Sequence, residues 1–257
     1  MVPGQVELGK VFTSLWNGRD AFAAAARVEG KVYRALEQRQ TLAFEVDGKV
    51  YFIKRHKGVT LAEIAKNLIQ LRLPVVSAKN EMVALKCLHD LGIRVPVIAA
   101  YGKRGWQPSQ LESFLVTEDV GPHVTLEDYC RDWICNPPSF RHKLDLLGKV
   151  ARISRIMHGA GICHRDFYIC HFLLMDDGEL TLIDLHRALK KNRLATRWII
   201  KDLAGLRFSS MDIGLNKRDL LRFARMYRGL PLRKVLAEEA GFWQAVEKRG
   251  QKLYKNP

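Results

Sequence analysis

The chain has 257 residues, of which 47% are hydrophobic and 27% are charged. This length allows one large domain or two small lobes with a buried core, and the composition excludes a disordered or low-complexity chain. Lysine and arginine outnumber aspartate and glutamate by 42 to 27, which gives a formal net charge of +15. Such a surplus predicts an acidic partner: nucleic acid, an anionic membrane surface or a phosphorylated substrate.

The sequence favours a location in the cytosol. The first thirty residues lack a signal-peptide pattern, and no uncharged apolar run reaches the ~18 residues that span a bilayer. The cysteines are odd in number and form no CxxC pair, so free thiols in a reducing compartment are expected. They are Cys87, Cys130, Cys135, Cys163 and Cys170.

Strand signals dominate the N-terminal part. Alternating apolar residues at 41–46 and 50–54 flank Asp47-Gly48, which is a strong hairpin signal. Met82, Leu85 and Leu88 recur every third residue before Gly92, which predicts an amphipathic helix. Residues 93–120 again show a pattern typical of strands, and the composition changes near Gly121.

Helix signals dominate the C-terminal part. Ser139 is a plausible N-cap for a helix that runs to Gly159, and Asn216 or one of its neighbours caps another one. Short strands at 173–174 and 180–183 lie between them. The order predicts an α+β, bilobal, protein-kinase-like fold, with a small strand-rich N-lobe (1–120) and a mostly helical C-lobe (121–257).

Two aspartates stand where phosphoryl transfer would need them. His164-Arg165-Asp166 follows a predicted helix, and Asp184 follows the predicted strand pair. Phosphoryl transfer needs one carboxylate for the acceptor hydroxyl and its proton, and a second one for Mg²⁺. We therefore predict that Asp166 is catalytic and that Asp184 binds metal. Each of them taken alone could equally be a structural carboxylate or a turn residue.

Further residues complete a kinase-like order. Lys54 ends a predicted strand, as does the kinase lysine that contacts the ATP phosphates, and Glu81 opens the following helix as its partner. Glu118 is a third candidate for binding the nucleotide. The alternatives are a solvated strand end for Lys54 and an ordinary first-turn glutamate for Glu81.

Several features depart from the protein-kinase pattern. His171 stands where an asparagine would help to bind metal, although imidazole suits Mg²⁺ poorly. We interpret His164 as structural, and His158 and His186 as bystanders. No Gly-rich loop precedes Lys54, and no Ala-Pro-Glu segment follows Asp184, so a non-protein acceptor is favoured.

Four long strings resemble the lipopolysaccharide core heptose(I) kinase (WaaP) family. They are LEDYCRDWICNPP at 126–138, GICHRDFYICHFLL at 161–174, IDLHRA at 183–188 and DLAGLRFSSMDIGL at 202–215. The resemblance implies ATP- and Mg²⁺-dependent phosphorylation of the first heptose of the inner core. The acceptor would be linked to lipid A, at the cytoplasmic face of a Gram-negative inner membrane.

Two basic segments fit such an acceptor. The residues between Asp184 and Asp202 include no acid, and cationic side chains bind phosphates and sugar-acid carboxylates. A second segment, 54–79, has helical apolar spacing at 61–71 and is either an amphipathic helix at an anionic membrane or a core helix. The predicted substrate-binding residues are Arg187, Lys190, Lys191 and Arg193.

Two other functions stay open at this point. The chain could phosphorylate another acceptor, such as 3-deoxy-manno-octulosonic acid (Kdo) or a protein. It could also be a catalytically dead kinase-like module that binds an anionic partner through its charge. We expect no nucleic-acid partner once the resemblance is weighed, and an unidentified bound protein stays open.

Overall fold

The computed structural model describes residues 4–36, 39–58, 77–107 and 110–255. The helix signal at 61–71 lies outside the described residues. Contacts divide the chain into two compact units, one of Met1–Lys86 with Pro96–Val120 and the other of Cys87–Val95 with Gly121–Pro257. No helix in the described part is long and apolar enough to cross a membrane.

The first unit is built on a six-stranded antiparallel sheet. Its strand order is β1-β5-β6-β4-β3-β2. The strands are β1 (Gln5–Leu8), β2 (Lys31–Leu36), β3 (Arg39–Val46), β4 (Lys49–His56), β5 (Ile98–Arg104) and β6 (Glu112–Glu118).

The predicted hairpin joins β3 to β4. Val46 pairs with Lys49, and the two residues between them, Asp47 and Gly48, have φ angles of 50° and 74°. Positive φ at both positions is the geometry of the two-residue turn that Asp-Gly favours. This prediction is confirmed.

Two short helices, α1 (Lys10–Leu15) and α2 (Ala21–Arg27), cover the sheet. Phe12 of α1 meets Tyr51 of β4 edge to face with ring centres 5.2 Å apart, and Phe22 of α2 meets Phe114 of β6 at 5.3 Å. Edge-to-face pairs of this kind add to the free energy gained by burying the rings. They form the core of the first unit.

Helix α3 (Lys79–Asp90) is the helix predicted from the three-residue spacing. Met82, Leu85 and Leu88 are buried, and the chain turns at Gly92, whose φ is +71°. The division between the two units falls within this helix, after Lys86.

The second unit is mainly helical. The predicted cap of α5 is confirmed, because the Ser139 hydroxyl accepts the His142 N–H at 3.3 Å. Asn216 and Asp219 form a capping box at the start of α7, which confirms the second cap. The helices are α4 (Leu126–Cys130), α5 (Phe140–Gly159), α6 (Thr196–Ser209), α7 (Lys217–Arg228) and α8 (Leu232–Lys255).

Two small sheets complete the second unit. One has the order β10-β9-β7 and the other pairs β11 with β8. All five cysteines are free thiols, as expected. The strands are β7 (His123–Thr125), β8 (Ile162–Cys163), β9 (Phe172–Met175), β10 (Leu180–Leu182) and β11 (Leu189–Lys190).

Candidate active site

In the first unit, Lys54 and Glu81 form the predicted ion pair. Lys54 Nζ lies 2.5 Å from Glu81 Oε1, and the two side chains are 19% and 6% exposed. The second oxygen of Glu81 is buried and has no hydrogen-bond partner among the described residues. A partly exposed ammonium held by a buried carboxylate keeps a fixed position and can still meet an anion.

Glu118, the third predicted nucleotide-binding residue, ends β6 in the same unit. It pairs with Tyr51, and its backbone N–H donates to the carbonyl of Val97 at 2.9 Å.

In the second unit, Asp202 of α6 holds the loop that carries Asp166. Its Oδ2 accepts the backbone N–H of His164 at 2.6 Å, and its Oδ1 accepts that of Arg165 at 2.8 Å. His158 Nε2 lies 3.3 Å from Oδ2. Burial raises the pKa of Asp202, but the contacts with His158 and His164 outweigh it, so the pKa is lowered overall.

His164 is structural, as predicted. Its side chain is buried, and its Nε2 donates to the carbonyl of Ile183 at 3.0 Å. Burial lowers its pKa, so the neutral ring is favoured. The ring packs under the loop and does not provide a base.

Two residues of this region have left-handed backbones. Arg165 has a φ of 75° and Asp184 a φ of 62°, although neither is glycine. Such conformations cost about 1–3 kcal/mol and persist where the surrounding contacts impose them, often at functional sites. Here the Arg165 N–H donates to Asp202, which supports the turn just before Asp166, and Asp184 directly precedes the turn Leu185–Arg187.

Asp166 is bound by Arg187. Arg187 Nη1 donates to Oδ1 at 2.8 Å and to Oδ2 at 3.2 Å, and both side chains are mostly buried. The contact fixes the orientation of the carboxylate. Arg187 was predicted to bind substrate; the structure gives it this contact, and its contact with substrate stays a prediction.

Asp184 lies between two histidines. Its Oδ1 is 2.5 Å from His186 Nδ1, and its Oδ2 is 3.6 Å from His171 Nε2. The interpretation of His186 as a bystander was therefore wrong, because the turn Leu185–Arg187 brings the His186 ring back onto the Asp184 carboxylate. His171 Nδ1 lies 2.7 Å from the Asp166 carbonyl, which can only accept, so Nδ1 donates and Nε2 faces Asp184.

These donors fit a magnesium ion in part. Mg²⁺ takes one or two protein carboxylates and completes its shell with water and phosphate oxygens. The Asp184 carboxylate meets this need, whereas the His171 imidazole suits borderline metals better. Among the described residues no group of three or more His, Cys, Asp or Glu side chains could hold a metal ion.

The predicted substrate-binding stretch runs beside the loop that carries Asp166. Strand β11 pairs with β8, so that Leu189 lies opposite Cys163, directly before His164. Lys190 Nζ lies 3.2 Å from Cys87 Sγ, and Lys191 and Arg193 are exposed. The fold thus places cations next to the loop of Asp166.

The second unit also contains an apolar cavity of about 640 Å³, which the sequence did not predict. Side chains of α5, α6, α7 and α8 line it, among them Leu146, Leu203, Phe223 and Trp243. A few polar groups, such as Arg207, reach its wall. A cavity of this size and lining suits an apolar ligand.

Sequence reasoning also missed Asp202, and its interpretation of His158 as a bystander was wrong. His158 contacts both the Tyr227 hydroxyl, at 2.9 Å, and Asp202. The sequence does contain a signal for Asp202, because this acidic residue lies within the largely apolar segment Ile199-Ile-Lys-Asp-Leu-Ala. An acid on the buried face of a helix needs buried donors, and these are the loop N–H groups.

A buried Lys-Glu pair in one unit, and a loop aspartate followed by a second aspartate in the other, define a kinase-like phosphotransferase. The Lipopolysaccharide kinase (Kdo/WaaP) family matches residues 23–227. The chain belongs to this family. The predicted family and the predicted α+β, protein-kinase-like fold class are both confirmed.

Individual relatives agree over nearly the full length. The chain is 48% identical to "Lipopolysaccharide core heptose(I) kinase WaaP" of Pseudomonas aeruginosa, covering 96% of this chain and 95% of that protein. It is 46% identical to the protein of the same name from Escherichia coli (strain K12), covering 96% of each. A solved structure described as "WaaP in complex with acyl carrier protein" matches with a TM-score of 0.85 and 44% identity, covering 97% of this chain and 99% of that chain.

Proposed function

We propose that this chain transfers the γ-phosphoryl group of ATP to the first heptose of the lipopolysaccharide inner core. The observation that carries the proposal is Asp166, held by Asp202 and Arg187 in a loop of kinase type, in a chain whose relatives are named heptose(I) kinases. A kinase-like module without catalytic activity would not need to keep the Lys54–Glu81 ion pair as well as Asp166.

Each predicted residue has a distinct role. Asp166 positions the acceptor hydroxyl and takes its proton. Lys54, oriented by Glu81, contacts the α- and β-phosphates, and Glu118 contributes to binding the nucleotide. Asp184 and His171 would hold Mg²⁺, which when bound neutralises the charge of the phosphates.

The acceptor is anionic and bound to a membrane, and this assigns a role to the basic stretch. Arg187, Lys190, Lys191 and Arg193 bind the acidic groups of the core, since cations next to the catalytic loop attract them. The protein works in the cytoplasm, on the cytoplasmic face of the inner membrane, to which it binds peripherally.

The proposal includes a protein partner, an acyl carrier protein. Two observations support it: the solved relative is described as a complex with this partner, and the second unit has an apolar cavity of about 640 Å³. An acyl chain has the chemistry that such a cavity binds. The acylated carrier should raise the melting temperature of this protein more than the carrier without its chain. Equal shifts would contradict the use of the cavity.

One experiment tests the activity. The protein is incubated with ATP, Mg²⁺ and lipopolysaccharide that lacks core phosphate, and mass spectrometry should show one added phosphate on the first heptose. Asp166→Ala should abolish the product, whereas Asp176→Ala, in an exposed turn, should leave it unchanged. Phosphate on Kdo instead would favour the alternative acceptor, and no product from wild type would refute the proposal.

A further inference from the structure

Three cations lie around Asp166. Arg187 contacts its carboxylate, Arg165 precedes it in the loop, and Lys201 lies in α6. Burial, Arg165 and Arg187 lower the pKa of Lys201, while Asp166 acts in the opposite direction. Burial and Arg187 lower the pKa of Arg165 as well. The geometry agrees, because the Arg165 guanidinium lies 5.7 Å from the centre of the Trp198 ring and Lys201 follows Trp198 by three residues, on the same face of α6.

The nearby carboxylates are already engaged. Asp166 receives Arg187 on both of its oxygens, and Asp202 receives the backbone N–H groups of His164 and Arg165 on its two oxygens. Within the described ranges, neither the Arg165 side chain nor Lys201 forms an ion pair. Arg165 Nε is buried and has no hydrogen-bond partner among those residues.

Such an arrangement is unfavourable without an anion. A cation that loses water and gains like-charged neighbours is destabilised unless an opposite charge is present. The guanidinium of Arg165 lies 5.7 Å from the centre of the Trp198 ring, and this cation-π contact offsets part of its cost. No similar contact is recorded for Lys201 in the described part of the chain.

The anion that would offset these cations is expected next to Asp166. Arg187 contacts both oxygens of Asp166, and Asp202, which follows Lys201 in α6, accepts the N–H groups of the loop that carries Asp166. Asp184 is contacted by histidines instead. Asp166 is the residue assigned to the acceptor hydroxyl, whereas Asp184 is assigned to the metal. An anion between these cations would therefore lie next to the acceptor.

We propose that Arg165, Arg187 and Lys201 form a subsite for an oxyanion of the acceptor, a carboxylate or a phosphate group close to the hydroxyl that is phosphorylated. The inference rests on the proposed function and adds Arg165 and Lys201 to the residues that select the acceptor. Two arginines and a lysine can together contact all oxygens of such a group.

Steady-state kinetics with Lys201→Met test the subsite. Loss of a hydrogen bond to a charged group should raise the KM for the acceptor about 10- to 100-fold and leave the KM for ATP within about twofold. Lys201→Arg should restore most of the affinity. The matched control is Lys248→Met, which removes the same charge from an exposed position of α8 and should behave as wild type.

A carboxyl-reduced acceptor identifies the source of the anion. If the oxyanion is a carboxylate, reducing it should raise the acceptor KM of wild type as much as Lys201→Met does. It should not raise the acceptor KM of Lys201→Met any further. If it is a phosphate of the acceptor, wild type should tolerate the reduction while Lys201→Met keeps its defect. A fall in kcat with unchanged acceptor KM would assign the cations to the transferred phosphoryl group and overturn the proposal.

A binding assay separates this subsite from the activity. Inorganic phosphate should raise the melting temperature of wild type and of Lys248→Met more than that of Lys201→Met. Without phosphate, Lys201→Met should be at least as stable as wild type, because it removes a half-buried charge that forms no ion pair with any described residue. Equal phosphate shifts in all three proteins would refute the subsite, whereas an inactive wild type that shows the expected shifts would refute only the proposed function.

Discussion

Replacing Asp202 by asparagine tests what holds the catalytic loop. Asparagine has nearly the same shape but only one acceptor oxygen, so it can receive the N–H of His164 or that of Arg165, not both. The other N–H would face an amide NH₂ group in a site where Asp202 is only 1% exposed. A hydrogen bond to a charged group contributes about 1.5–3 kcal/mol, and an unsatisfied buried donor adds to its loss.

We therefore expect Asp202→Asn to lower the free energy of unfolding by about 2–4 kcal/mol. Asp202→Ala leaves both N–H groups without acceptors and should cost about 3–5 kcal/mol, as when one member of a buried charged pair is removed. Because the loop carries Asp166, kcat should also fall in both variants, while the affinity for ATP is retained.

Urea denaturation measures the first effect and steady-state kinetics the second. Asp212→Asn is the matched control, because Asp212 is exposed and accepts a single hydrogen bond, from the Tyr254 hydroxyl at 2.7 Å. Its cost should stay within about 0.5 kcal/mol. If Asp202→Asn were equally mild, the loop would be held by other contacts and the reasoning would fail.

Three further predictions follow from the geometry of the two units. Lys54→Met should raise the KM for ATP and lower kcat, while Lys49→Met, at an exposed position of the same strand, should do neither; equal kinetics in both would exclude the phosphate contact. His171→Asn should support turnover with Mg²⁺ better than His171→Ala, and unchanged kinetics in both variants would remove His171 from the metal site. The melting temperature should fall in two steps on acidification: the lowered His164 pKa stabilises the fold above about pH 6.5 and this contribution is lost below that pH, and the lowered Asp202 pKa stabilises it above about pH 4 and this contribution is lost only below about pH 4. A flat profile would contradict this assignment.

Local signals in the sequence were sufficient for the main elements and for singling out the candidate acidic residues. Asp47-Gly48 can take positive φ where a two-residue hairpin requires it, and Ser139 can accept an N–H where a helix begins. Their effects depend on near neighbours alone. The order of Lys54, Glu81, Asp166 and Asp184 likewise can be read along the chain, because each follows a recognisable strand or helix.

Partners far apart in the chain were decided only by tertiary structure. The contact between Arg187 and Asp166 joins residues 21 positions apart, and that between Asp202 and His164 joins residues 38 positions apart. The sequence showed a basic stretch after Asp184 but could not show which of its cations would face the catalytic carboxylate. That choice depends on the pairing of β11 with β8 and on the packing of α6.

The sequence by itself determined the family and the α+β fold class and singled out the candidate acidic residues, since these follow from local patterns and from long strings of the family. The tertiary structure decided which charged groups contact each other. It placed Asp202 under the loop, His186 on Asp184, and Arg165 and Lys201 beside Asp166, because burial and electrostatic contact depend on distances in space that spacing along the chain does not encode.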